Sequence, residues 1–213
     1  KQLYSGGLQN WDIKQGKNGI IYFANNEGLL SYDGKYWNLY PLPNKTIVRS
    51  VEIGLDNKIY VGGQDEFGYF YPEKNGQLKY HSLIDIIEVK DKNFGDVWDI
   101  VAINKDIFFR SANKIFKISN NAYAVYNATF EWTFLGQCNG KLYAHDIKKG
   151  LLIFENQFWA ELPLKSDLPQ NNPITSILAL KNDSALITTL KQGVFILSKE
   201  GIKPLVSVNN DLF

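Results

Sequence analysis

The sequence contains no methionine, one cysteine and two histidines, and only two of its 23 basic residues, Arg49 and Arg110, are arginines. The single cysteine, Cys138, excludes an internal disulfide, and with two histidines the count falls short of a four-ligand cysteine–histidine zinc site. A lone cysteine on an apolar strand reads as a small buried hydrophobe rather than a nucleophile, and it leaves the redox compartment open. A basic surplus is also missing. The 23 basic residues face 22 acidic ones, for a net charge of +1, whereas a nucleic-acid binder needs excess cations to neutralise phosphates. No apolar run approaches the roughly 18–20 residues of a membrane span. The opening KQLYSGG has no apolar h-region, so no signal peptide is expected. The missing methionine leads us to expect that Lys1 is not the native start. No segment shows helical periodicity.

What is present is hydrophobic and repetitive. Hydrophobic residues make up 45% and aromatics 14% of 213 residues, enough for one large β-domain with a core. Residues 28–37 read GLLSYDGKYW and residues 150–159 read GLLIFENQFW. The two copies lie about three repeats of roughly forty residues apart, the length of one propeller blade. Five hairpins can be aligned this way, with turn positions at Gly28, Gly68, Lys114, Gly150 and Gly193. Glycine at four of the five fits a turn that needs a left-handed residue. A short apolar strand precedes each hairpin and another follows it. Four short strands per repeat point to an all-β fold, a β-propeller of four-stranded antiparallel blades. A sandwich would not repeat its sequence at this period. The repeats are expected at approximately 8–45, 46–92, 93–128, 129–170 and 171–213, within a single propeller segment.

A blade has two apolar faces and needs a neighbour on each. Five blades therefore either close on themselves or belong to a larger propeller. The tail VSVNNDLF reads as the approach to a sixth repeat, which favours the larger propeller.

The hairpin NGIIYFANNEGLLSYDGKYW resembles the regulator-propeller repeats of bacterial sensor proteins. The strings YSGGLQNWDI and IYVGGQDEFGYFYP are similar to the amino-terminal propeller of Bacteroidetes regulators that continue into a triple-tyrosine β-domain. The resemblance covers essentially the whole chain, more strongly over 4–72 than over 120–213. It implies a periplasmic sensor segment of an inner-membrane regulator, often tied to polysaccharide utilisation. In that family the output is a histidine kinase of a hybrid two-component system or a LuxR-like helix-turn-helix. It also implies downstream domains of the same polypeptide as partners, with a homodimer as a further expectation. No cofactor or metal is implied.

Counting about ten residues back from the second strand of each repeat lands on Trp11, Arg49, Trp98, Trp132 and Ser176. In a propeller, equivalent positions ring the channel mouth. Indoles there would offer flat apolar platforms, and arginine a fork for hydroxyl or carboxylate oxygens. An oligosaccharide, including an acidic one, suits such a site. Core packing between blades is the favoured reading of each tryptophan taken singly, while for Arg49 the two readings are balanced, because a guanidinium near a channel must find a partner. Arg110 ends a second strand near the same face, and the adjoining turns add Asn25, Asn26, Gln64, Glu66 and His145, although Asn26 also suits plain turn geometry.

Other candidates carry less. His81 reads as a solvated residue. His145 beside Asp146 could be a ligand pair or a base with its orienter, but no third ligand or nucleophile has a matching spacing. Asp65 and Glu66 are adjacent on a turn, and paired carboxylates must face each other to hydrolyse a glycoside. SYDGKYW resembles the Asp-box of sialidases but is one residue short. Three readings stay open: a non-enzymatic sensor or ligand-binding module, a scaffold that binds nothing small, and a propeller glycosidase or lyase. The first is favoured, with no catalytic residue expected.

Overall fold

Short runs of alternating apolar and polar residues, broken by Asn, Asp and Gly, fold into hairpins and then into meanders. The computed structural model describes residues 4–120 and 122–205. The VSVNNDLF tail and Lys1 lie outside the described residues. The described strands form five four-stranded antiparallel sheets, each ordered as its strands occur in the sequence. This is the all-β, five-repeat arrangement that the hairpins predict. The chain divides into two compact units, 1–127 with three sheets and 128–213 with two.

In the first unit, sheet one holds β1 (Asn10–Gln15), β2 (Ile21–Asn25), β3 (Gly28–Tyr32) and β4 (Trp37–Tyr40). Sheet two holds β5 (Val48–Ile53), β6 (Ile59–Gly63), β7 (Phe67–Pro72) and β8 (Leu78–Ser82). Sheet three holds β9 (Asp99–Ile103), β10 (Asp106–Arg110), β11 (Lys114–Ser119) and β12 (Ala122–Asn127). The first strands of neighbouring sheets touch, β1 against β5 and β5 against β9. Strand β6 is buried along its whole length, so it shows why sheets stack. Ile59 and Val61 enter the core shared with Leu29 and Val48, while Tyr60 enters the core shared with Phe67 and Phe109. A strand covered on both faces reads as a continuous apolar run rather than an alternating one. The second core is aromatic. Phe67 stacks on Phe109 at 4.4 Å and meets Phe116 at 5.1 Å and Phe94 at 5.4 Å.

In the second unit, sheet four holds β13 (Trp132–Cys138), β14 (Lys141–Asp146), β15 (Gly150–Glu155) and β16 (Phe158–Glu161). Sheet five holds β17 (Ile174–Ala179), β18 (Ala185–Thr189), β19 (Val194–Ser198) and β20 (Gly201–Pro204). Phe134, Tyr143 and Ile153 of sheet four pack with Ile177, Ile187 and Phe195 of sheet five.

Two details differ from the sequence reading. Two single-turn 3-10 helices, Ile84–Ile86 and Val89–Asp91, occupy the connector between β8 and β9. They are too short for a periodic signal, and Ile84 and Ile86 of the first, with Leu83 before it, pack on the aromatic core. Gly68 is not a turn residue. Gly28, Gly150 and Gly193 have positive φ of 137°, 80° and 79°, but in the second hairpin Asp65 takes that conformation at 50°. Gly68 lies within β7, where a Cβ would strike the His81 carbonyl and the Tyr80 ring. There glycine serves close strand approach instead of turn geometry.

Candidate functional site

The first strand of four sheets carries a register shift near its start. It falls between Asn10 and Asp12, Val48 and Ser50, Trp132 and Phe134, and Ile174 and Ser176. The extra residues are Trp11, Arg49, Thr133 and Thr175. In sheet three Trp98 immediately precedes β9, and its N–H donates to the Arg110 carbonyl at 2.8 Å. The recurring position therefore holds Trp11, Arg49, Trp98, Thr133 and Thr175. This corrects the sequence alignment, which placed Trp132 and Ser176 there. Those two are one residue out of step, and one step turns a side chain to the opposite face. Trp132 shares its position with Val48, Val97 and Ile174, which are buried, and with Asn10, which is exposed. It is 3% exposed and packs on Trp159 at 5.6 Å. A fixed count from the second strand cannot register an extra residue in the first.

In the first unit the bulges bring three candidates into contact. The Arg49 guanidinium carbon lies 4.1 Å from the Trp11 ring centre and 5.0 Å from that of Trp98. The two indoles meet edge to face at 6.0 Å. Arg49 Nε donates to Asp96 Oδ2 at 3.2 Å. Asp96 is held in place because its backbone pairs with Gln64 across to sheet two. Trp11 Nε1 donates to Asn26 Oδ1 at 2.7 Å, which ties that indole to the β2–β3 turn.

A guanidinium has five N–H donors, and among the described residues only Nε finds a hydrogen-bond acceptor. Nη1 is buried without one. The side chain is only 15% exposed, while both indoles remain 39% exposed. Each cation–π contact contributes about 0.5–2 kcal/mol, which fixes the fork in place but leaves its donors unused. Gln64, an exposed residue, adjoins this cluster through its backbone bridge to Asp96.

The other candidates have structural employment. The Asn25 side chain is buried and holds the lead-in to β1, accepting from the Gly7 N–H at 2.8 Å and donating to the Gly7 carbonyl at 2.9 Å. Glu66 accepts from the Tyr80 and Ser82 hydroxyls, each at 2.8 Å. Asp65 Oδ1 accepts the backbone N–H groups of Phe94 and Gly95, so the two adjacent carboxylates do separate jobs. Arg110 is buried and paired with Asp99. His81 stacks on Tyr69 at 5.1 Å. Cys138 is buried, and burial pushes its thiol pKa up.

His145 belongs to the second unit and is 3% exposed. Its Nδ1 lies 2.6 Å from Thr133 Oγ1. Burial pushes its pKa down to about 4, against the opposing charge of Asp146. Asp146 is fully buried, and its carboxylate accepts four backbone N–H groups, from Thr129, Phe130, Lys148 and Lys149. Neutral His145 implies a pH effect. Below an unfolded-state pKa near 6.5 the unfolded chain takes a proton that the folded chain refuses, so stability falls as pH drops. The expected loss from this residue is about 3 kcal/mol by pH 4. Urea unfolding of the native chain and of His145→Gln at pH 7 and pH 4 checks it, because the variant should lack that component.

The fold is found in solved structures at low sequence identity. The chain matches a catalytically inactive virginiamycin B lyase from Staphylococcus aureus, crystallised with quinupristin, at TM-score 0.72 and 14% identity, covering 92% of this chain and 69% of that one. It matches an extracellular domain assigned to a hybrid two-component system of B. thetaiotaomicron at TM-score 0.71 and 17% identity, covering 95% of this chain and 28% of that one. It also matches the WD40 β-propeller domain of Doa1 at TM-score 0.66 and 9% identity, covering 92% and 71%. The fold is that of a β-propeller. No family model and no curated protein matches the sequence. No helix among the described residues is long and apolar enough to cross a membrane.

Proposed function

We propose that this chain is the ligand-sensing propeller segment of an extracytoplasmic, periplasmic region in a bacterial transmembrane regulator. Its ligand would be an oligosaccharide carrying a carboxylate. The carrying observation is Arg49, clamped between two half-exposed indoles with most of its donors unused. With Nε taken by Asp96 and Nη1 buried, Nη2 is the donor left for a ligand carboxylate, and a sugar ring lies well on an indole. Likeness of fold to an extracellular domain assigned to a hybrid two-component system supports the setting. Ligand binding would bias a two-state equilibrium read by downstream domains of the same polypeptide or by a second copy.

Isothermal titration of the chain against acidic and neutral oligosaccharides tests this reading. Trp98→Ala is expected to weaken an acidic ligand at least about tenfold, a loss of about 1.4 kcal/mol, while leaving the melting temperature nearly unchanged. Silence across the panel would remove the sugar ligand. If Trp98→Ala and Trp11→Ala instead unfold the chain and no ligand binds, the scaffold reading stands. A catalytic role is not favoured, since Asp65, Glu66, His145 and Asp146 are each committed to local hydrogen bonds.

A further inference from the structure

The second unit contains a cavity of about 260 Å³ that the cluster around Arg49 does not involve. Buried His145 forms part of its lining, in a cross-strand row with Phe134 and Leu151. The connector after β16 closes one side and is fixed in place. Its Lys165 carbonyl accepts the Ile202 N–H at 2.9 Å, and its Asp167 N–H donates back to the Ile202 carbonyl at 2.9 Å. Gly201 permits that approach, because a Cβ there would strike the Lys165 carbonyl. Leu162, Leu164 and Leu168 on this connector pack on the unit's core and also line the cavity.

The polar lining is unbalanced. Lys148, Lys149, Ser166 and Gln170 supply donors, and Glu161 is the one carboxylate among the lining residues. Lys148 rests over the Phe130 ring at 4.5 Å, and Lys149 makes no ion pair among the described residues. The neighbouring Asp146 carboxylate is spent on four backbone N–H groups. One nitrogen of His145 is occupied by Thr133, and Nε2 makes no hydrogen bond to a described residue. With its pKa held near 4, the ring stays neutral at pH 7.

We propose that this cavity binds a small carboxylate with an aliphatic body. The leucines and Ile202 take the hydrocarbon part, the lysine ammonium groups balance the charge, and the neutral imidazole offers an N–H to one oxygen. This site is separate from the one around Arg49, and its failure would leave the reading of that cluster untouched.

NMR titration of the isotope-labelled chain at pH 7 tests it, using straight-chain carboxylates from acetate to hexanoate and the matching primary amides. Butyrate or a longer acid is expected to shift the His145 ring and the methyl groups of Leu151, Leu164 and Leu168 saturably, with the amide at least about tenfold weaker. Both lysines are exposed, so Lys148→Gln with Lys149→Gln should fold normally and weaken the acid about fivefold. His145→Gln serves as the second variant and should weaken it with the lysines intact. Equal binding of acid and amide, or no saturable shift up to about 50 mM, overturns the proposal.

Discussion

Phe67→Ala is expected to destabilise the first unit by about 3–5 kcal/mol. Phe67 is fully buried and touches three other phenylalanines, from sheet three and from the connector before it. Truncation opens a cavity among large rings that cannot readily collapse, because Phe94, Phe109 and Phe116 are themselves buried in the same core. The same ring contacts hold sheet two to sheet three, so the loss should appear as weaker cohesion between sheets. Phe67→Leu keeps most of the volume and should cost less than half as much. Urea denaturation followed by tryptophan fluorescence reads both values. Equal losses for the two variants would mean that the ring contacts and not the filled volume carry the stability, contrary to the cavity account.

Asp146→Ala is expected to cost the second unit about 3 kcal/mol, since four backbone N–H groups would lose a charged acceptor. Burial alone would raise the Asp146 pKa, but the backbone N–H groups more than reverse this, and the carboxyl lies below its usual value. Its contribution is therefore fully present above the unfolded-state pKa of about 3.9. It is lost as pH falls through the lower folded value. Asp146→Asn keeps one acceptor oxygen and should fall between the native chain and Asp146→Ala. Stability measured at pH 7 and again below pH 4 separates this term, because the gap between native chain and Asp146→Ala should shrink in acid.

The residues disclose the fold because hairpin chemistry is local. Asn, Asp and Gly at φ > 0 positions punctuate apolar pairs of strands, and five such pairs at one period leave few architectures. Gly68 shows the limit of that reading. Glycine has two uses, turn geometry and close approach, and only coordinates tell them apart. The site was legible in part. Trp11, Arg49 and Trp98 share an offset in the repeats, and they do touch. Trp132 was misplaced because a bulge is invisible to a fixed count, although the Thr133 that takes its place sits beside it. Asp96 was missed for a different reason. It lies in a connector between sheets, and nothing in its neighbours marks it as the partner of an arginine far back in the chain. The employment of Asn25 and Asp146 at the ends of second strands was also hidden, since the same polar residues at a turn suit a ligand or the backbone equally well.

Ligand recognition by the Trp11–Arg49–Trp98 cluster, as proposed, is open to direct test. The most direct measurement is a crystal structure of the chain with an acidic oligosaccharide that binds in titration. The expected result is a ligand carboxylate within hydrogen-bond distance of Arg49 Nη2, with a sugar face against an indole. A ligand bound elsewhere, with Arg49 still closed between undisturbed indoles, would contradict it.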